Sequence, residues 1–149
     1  MAATRPFPYS AFNFSVSVDG RQAFGGFQEV NGLMTDIKVS EYRTGVDPEN
    51  HVRKVPGMHA VGDITLKRGI VSSKDLWDWI DTVRRAGPAG KRTVVITLND
   101  ESGKRVQSWQ LQGALPLKYT GPTFAAKAGT DVATEELVLS VESLVLQQP

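Results

Sequence analysis

Few side chains in this 149-residue chain stand at the spacings that chemistry needs. His51 and His59 are its two histidines, eight positions apart, with Asp47 and Glu49 close by. Imidazoles and carboxylates so placed could ligate a metal ion, but histidines on the surface of a polar loop are the ordinary reading. Asp100 and Glu101 are adjacent carboxylates. Glycoside hydrolysis needs two carboxylates facing each other across a cleft, so a solvated turn is preferred here. Arg84-Arg85 and Lys91-Arg92 flank Gly87-Pro88 and could hold a phosphate. Cations at a helix C-terminus are equally what the helix dipole favours. The patterns GxxxxGK[ST], GxSxG and HExxH are absent. Trp77 and Trp79 read as core rather than as a ligand box. No catalytic residue, metal ligand or cofactor site is assigned, and no enzymatic activity is expected.

Composition narrows the classes further. Lys and Arg number 17 against 16 Asp and Glu, a net charge of +1, so bulk electrostatics does not call for a nucleic-acid partner. With 0 cysteines there are no disulfides or thiolate metal sites, which fits a reducing compartment. The N-terminus, MAATRPFPYSAF, has no apolar stretch of the Sec type. No apolar run reaches the roughly 18 residues of a membrane helix. The expectation is one domain over 1–149, made in and retained by the cytoplasm, without a membrane anchor.

The elements that would position any site are mostly strands. Residues 1–11 read as an extended, Pro-rich arm. Phe12, Phe14, Val16 and Val18 alternate with Asn13, Ser15 and Ser17, a half-buried strand stopped by Asp19-Gly20. Arg21–Phe24 is expected to return as a short partner. Phe27 to Tyr42 is the longest strand-like segment, with a bend at Asn31-Gly32. Beyond the bend Leu33, Thr35, Ile37, Val39 and Glu41 share one side. Met34, Asp36, Lys38, Ser40 and Tyr42 share the other, so this strand is expected to face water on one side only. Tyr42 to Gly62 shows no sustained periodicity and is expected to be a long loop; compact domains rarely keep one that long without a job for it. Asp63–Gly69 resumes the strand pattern. Ser72 to Arg85 is the one clear helix (about 73–85), with Ser72 and Asp75 as a capping box. Its stripe is Leu76, Ile80 and Val83, flanked by Trp77 and Trp79. Thr93–Leu98 and Arg105–Lys118 follow as strands, with a bulge near Gln107-Ser108 and an edge or end of pairing at Pro116. Tyr119–Thr134 reads as a second loop. Glu135–Leu146 is the last strand, and its apolar face switches near Glu142-Ser143. The fold class is mainly β: a sandwich or barrel of about six to seven strands with one docked helix.

The polar strand faces leave two readings open. Asp36, Lys38 and Ser40, then Thr65 and Lys67, then Gln110 and Gln112 suit a water-facing sheet. They also suit the inner wall of a wide barrel built from several chains.

The ordered set of residues supplies a resemblance. Phe27-x-Glu29-Val30-x-Gly32-Leu33 is followed by Glu41-Tyr42-Arg43-x-Gly45, Pro56-Gly57-Met58 and Ile64-Thr65-Leu66-Lys67-Arg68-Gly69. Later come Leu76-x-x-Trp79, Asn99-Asp100-Glu101-x-Gly103, Ala114-Leu115-Pro116-x-Lys118, Glu135-Glu136-Leu137-x-Leu139 and Glu142-Ser143-Leu144. Together they resemble the tail tube protein family of contractile phage tails and phage-tail-like injection systems. Val55, where Leu is expected, and Leu115, where an aromatic is common, depart from the pattern in packing detail.

That resemblance implies a hexameric ring whose subunits contribute strands to a shared inner β-barrel, with rings stacking into a hollow tube inside a sheath. Contraction of the sheath drives such a tube through a target envelope. The long loop, 42–62, is then implied to contact neighbouring subunits and rings through Tyr42, Arg43, Thr44, Gly45, Asp47, Pro48, Glu49, Arg53, Lys54, Pro56 and Gly57. Asp36, Lys38, Ser40, Thr65, Lys67, Gln110 and Gln112 become candidates for the lumen wall. Implied partners are other copies of the chain, the sheath protein, a baseplate or tube initiator, a tube terminator, a tape measure, and DNA or protein cargo in transit. The competing reading is a monomeric β-barrel carrier with tryptophans lining a small-ligand pocket.

Overall fold

The computed structural model describes residues 7–9, 13–20, 27–43, 45, 52–70, 74–124 and 132–148. Its strands follow the period-two patterns of the sequence. β1 (Phe14–Val18) turns Val16 and Val18 inward. It ends at Asp19 and Gly20, whose φ values of 51° and 79° are the paired positive dihedrals of a tight primed turn. The expected return at Arg21–Phe24 lies outside the described residues. β2 (Glu29–Asn31) is short and is cut by Gly32. β3 (Thr35–Tyr42) and β4 (Arg53–Val61) form a hairpin of their own, and β5 (Ile64–Gly69) returns to the body.

α1 (Asp75–Ala86) begins two residues later than expected, after an N-cap Lys74 that makes no side-chain cap. Ser72, the expected cap, lies outside the described residues. Asp75 and Asp78 in the first turn and Arg84 and Arg85 in the last match the helix dipole. The buried stripe is Leu76 and Trp79, with Ile80 and Val83 packed beside them. A 3-10 turn over Gly87–Gly90 folds back so that Trp79 Nε1 donates to the Gly90 carbonyl at 2.8 Å. Trp77 stays on the surface, with the Arg84 guanidinium 5.2 Å from its ring centroid.

β6 (Arg92–Asn99), β7 (Arg105–Thr120), β8 (Thr134–Ser140) and β9 (Ser143–Gln147) complete the sheet. The strand order is β1-β6-β7-β8-β5-β2, with β9 also on β7. β7 is the shared member. Its first half pairs β6 and β9, and Leu115–Thr120 pair β8. Between the halves sits Gly113 (φ 65°), where a β-carbon would lie 2.5 Å from the Glu142 carboxylate. Glu142, at the break between β8 and β9, donates its N–H to the Gln112 carbonyl at 3.0 Å and pairs with Lys91. Both lines of chain thus bend at one level, which curls the sheet over its apolar side. The expected face switch near Glu142-Ser143 is this bend. The expected bulge near Gln107-Ser108 is a register shift at Val106.

The curled sheet encloses one core. Val16, Val18, Val94, Ile96 and Leu111 come from one arm, Ile64, Leu66, Leu137 and Leu139 from the other, and Leu76 and Trp79 from the helix. Among the described residues no helix is long and apolar enough to cross a membrane.

Candidate functional site

The part of the chain that the core does not explain is the β3–β4 hairpin. Every residue of β3 is exposed, and every residue of β4 except half-buried Val61. Cross-strand partners define its two faces. One carries Thr35, Ile37, Val39 and Glu41 opposite Val61, His59, Pro56 and Lys54. The other carries Asp36, Ser40 and Tyr42 opposite Ala60, Val55 and Arg53. Ile37 and Val39 are 53% exposed, and Met58 78%. An isolated two-stranded ribbon is marginal in water, and this one leaves apolar side chains uncovered on both faces.

Two expectations are corrected by this hairpin. The segment 42–62 is not a loop throughout, because Arg53–Val61 is a strand. It escaped the periodicity test through a bulge: Ile37 pairs His59 but Val39 pairs Pro56, so Lys38 faces Gly57 and Met58 together. That extra residue flips the parity of β4 midway. Gly57 is required there, since a β-carbon would fall 2.9 Å from the Lys38 carbonyl oxygen. Pro56 beside a bulge is a place a sheet tolerates proline. The second correction concerns β3, which faces solvent on both sides rather than one.

The contact-loop candidates divide accordingly. Tyr42, Arg53, Lys54, Pro56 and Gly57 sit on the hairpin strands, Arg43 and Gly45 are exposed just beyond β3, and Thr44, Asp47, Pro48 and Glu49 lie outside the described residues. The lumen candidates fall into three groups. Asp36, Lys38 and Ser40 are on the hairpin. Thr65 and Lys67 are on the outward face of β5, where Lys67 lies across from Glu29 and from Glu136, with the Lys67–Glu136 pair at 4.0 Å. Gln110 and Gln112 face outward from the first half of β7, bonded to Gln147 at 2.9 Å and Ser143 at 2.7 Å.

Asp100, one of the carboxylates considered for chemistry, has a structural role. Asp100 Oδ1 accepts from the Ser102 hydroxyl at 2.7 Å and from the N–H groups of Ser102 and Lys104, each at 2.9 Å. The Ser102 hydroxyl first, then the Lys104 N–H, hold its pKa below the usual carboxylate value. His59 is an exposed member of β4, and His51 lies outside the described residues; no group of three or more potential metal ligands occurs among the described residues.

A buried polar cluster was not anticipated from sequence. Arg68 Nε donates to Glu135 Oε1 at 2.7 Å, and the Tyr119 hydroxyl donates to Glu135 Oε2 at 2.6 Å. Arg68 also lies over the Phe27 ring, 5.6 Å from its centroid. Arg68 and Glu135 take inward positions in β5 and β8 that a period-two reading reserves for apolar residues. The carrier reading finds no support. Trp79 is fully buried, while Trp77 and Trp109 line different surface grooves.

Comparison with known proteins accords with this geometry. No curated protein matches the chain in sequence. Among solved structures, a chain of the PVC extracellular contractile injection system, in its sheath–tube complex in the extended state, is 28% identical. It superposes with a TM-score of 0.84 over 97% of this chain and 94% of that one. A chain of the PVC sheath/tube terminator in the extended state is 29% identical, with a TM-score of 0.83 over 95% of this chain and 97% of that one. Hcp1 from Flavobacterium johnsoniae shares the fold at 14% identity, with a TM-score of 0.55 over 93% and 97% of the two chains. The family model for the T4-like virus tail tube protein gp19 matches residues 10–145. With a body built for one core, a hairpin left uncovered, and that match across nearly its whole length, the chain belongs to the T4-like virus tail tube protein family and is a tail tube protein of contractile injection systems.

Proposed function

We propose that the chain works as a purely structural subunit, assembling in the cytoplasm into hexameric rings that stack into a hollow tube, and that the β3–β4 hairpin is its principal contact with other copies. The observation that carries this reading is the hairpin's exposure on both faces with Ile37, Val39, Val55 and Met58 uncovered. A lone subunit also presents free strand edges, which joining other chains removes. Stacking is a head-to-tail contact that does not close and so propagates as a filament.

The related PVC chains belong to a sheath–tube complex and a sheath/tube terminator. A sheath, a baseplate on which the tube starts and a terminator that ends it are the corresponding partners here, with a tape measure and DNA or protein cargo inside. Within this reading Asp36, Lys38, Ser40, Thr65 and Lys67 face the lumen. Gln110 and Gln112 lie beside β9 and are proposed for the lumen on the family resemblance.

Sizing and negative-stain imaging of the purified protein test the reading. Rings or tubes are expected, alone or with sheath and baseplate proteins. A species that stays monomeric at high concentration with those partners present sinks it.

A further inference from the structure

With no cysteine in the chain, its 3 methionines are the only sulfur atoms it offers to an oxidant. Met1 is the first residue, and the other two belong to the hairpin. Met34 stands immediately before β3, and Met58 lies within β4. Their settings differ. Met58 is 78% exposed, more than any other large apolar side chain described in the hairpin. It follows Gly57 at the bulge, where the two residues together face Lys38. Met34 is 49% exposed and folds over Gly62 at the foot of the hairpin. A β-carbon on Gly62 would lie 2.9 Å from the Met34 Cγ and 3.3 Å from its Sδ. The Gly62 N–H also donates to the Met34 carbonyl at 3.4 Å.

We propose that Met58 is a redox modification site whose oxidation keeps a free subunit out of the tube. This inference rests on the reading of the hairpin as a contact between copies and adds a chemical condition to it. The oxidant is a peroxide. A lone pair on Sδ attacks one peroxide oxygen, the S–O bond forms as the O–O bond breaks, and hydrogen peroxide leaves as water. The thioether is oxidised by two electrons to the sulfoxide, and the peroxide is reduced by two. A reductase working through two thiols reverses the step: the thiols become a disulfide and the oxygen leaves as water.

The added oxygen changes volume little and polarity a great deal. It turns a flexible apolar side chain into one that needs a hydrogen-bond donor. In the free subunit water is that donor, because Met58 stands in solvent, and the fold is indifferent to the change. Assembly covers the hairpin, whose other exposed side chains include Ile37, Val39 and Val55. A sulfoxide covered there gives up its water without a replacement, which opposes docking. Every copy carries the same site, so the penalty recurs at each added subunit. The same covering shields the thioether of a subunit already built in. Oxidation therefore acts on the pool of free subunits and spares finished tubes. Met34 is the slower target, because Gly62 screens part of its sulfur.

The wild-type protein tests this without substitution. Free subunits are treated with hydrogen peroxide until Met58 is partly oxidised, then allowed to assemble, alone or with sheath and baseplate proteins. Tubes and remaining free subunits are separated and mapped by mass spectrometry. Met58 is expected to gain its oxygen before Met34, and its sulfoxide to be depleted about tenfold in the tubes. Tubes built first and treated afterwards should take up oxygen at Met58 several-fold more slowly than free subunits. The Tm of the oxidised free subunit should stay within a few degrees. Scored against its own untreated sample, Met58→Leu should lose the peroxide sensitivity of assembly, and Met34→Leu should keep it. Tubes as rich in Met58 sulfoxide as the free subunits, or an assembly loss that follows a fall in Tm, overturn the proposal and leave the tube reading standing. Untreated protein that never leaves the monomeric state overturns both.

Discussion

Glu135 holds two partners at once, the Arg68 guanidinium and the Tyr119 hydroxyl, on the buried face of the sheet. Taking the carboxylate away breaks a buried ion pair on one side, so Glu135→Ala is expected to cost roughly 3–5 kcal/mol, read by urea denaturation. Tyr119 adds a pH dependence. Its hydrogen bond to Glu135, and then its burial, raise the phenol pKa above its ordinary 10.0. The unfolded chain therefore loses this proton first as pH rises. The stabilisation is whole below about pH 10 and drains away as pH climbs through the folded-state value. Tyr119→Phe should flatten that alkaline loss in melts at increasing pH, and an unchanged alkaline profile would contradict this role. Gly32 is constrained more tightly. With φ at 95° and a would-be β-carbon 2.3 Å from the Asp63 carbonyl oxygen, Gly32→Ala has to move backbone. A loss of at least about 1–3 kcal/mol is expected, visible as a lower Tm.

At the scale of elements, strands packed on the core by one face were legible, because burial imposes alternation. Phe14–Val18, Ile64–Gly69 and Arg92–Asn99 are such cases. The bend between β8 and β9 was legible too, since Leu139 and Val141 differ in parity from Leu144 and Leu146. β4 was not. A strand exposed on both faces has no apolar period to show, and its bulge at Gly57-Met58 breaks what alternation there is. The Arg68–Glu135 pair was hidden for the opposite reason: its members occupy core positions as charges that neutralise each other. The last residues of β7, Tyr119 and Thr120, were lost against the Gly121-Pro122 that follows. Because every residue of the hairpin strands except Val61 is exposed, the hairpin makes a separable prediction. Replacing residues 43–52 and the adjoining ends of β3 and β4 with a short Gly-Ser turn should leave Tm within a few degrees and abolish polymerisation. A large fall in Tm would show that the hairpin supports the body. Normal stacking would show that it does not join copies.

For the whole molecule, the pairings β1 with β6, β2 with β5 and β7 with β8 join distant stretches of chain. Non-local sheets of this kind fold slowly. Ser40→Trp should be tolerated by the isolated fold, because Ser40 is exposed in β3, and, under the proposal that Ser40 faces the lumen, should obstruct whatever passes through an assembled tube. Lys67→Glu places a third carboxylate in the row between Glu29 and Glu136. Like charges directly opposite in a sheet cost about 0.2–1 kcal/mol, so a small drop in Tm is expected; under the proposal that Lys67 faces the lumen, the lumen should also become more cation-selective, measurable as ion selectivity of reconstituted tubes.

β7 has a mechanical consequence. It serves both arms of the curled sheet as one unbroken strand of 16 residues, bent but not cut at Gly113. A pull on one arm reaches the other along covalent backbone instead of through side-chain packing alone. The ladders on its two halves share that tension, so a load on the subunit is spread over both arms of the sheet.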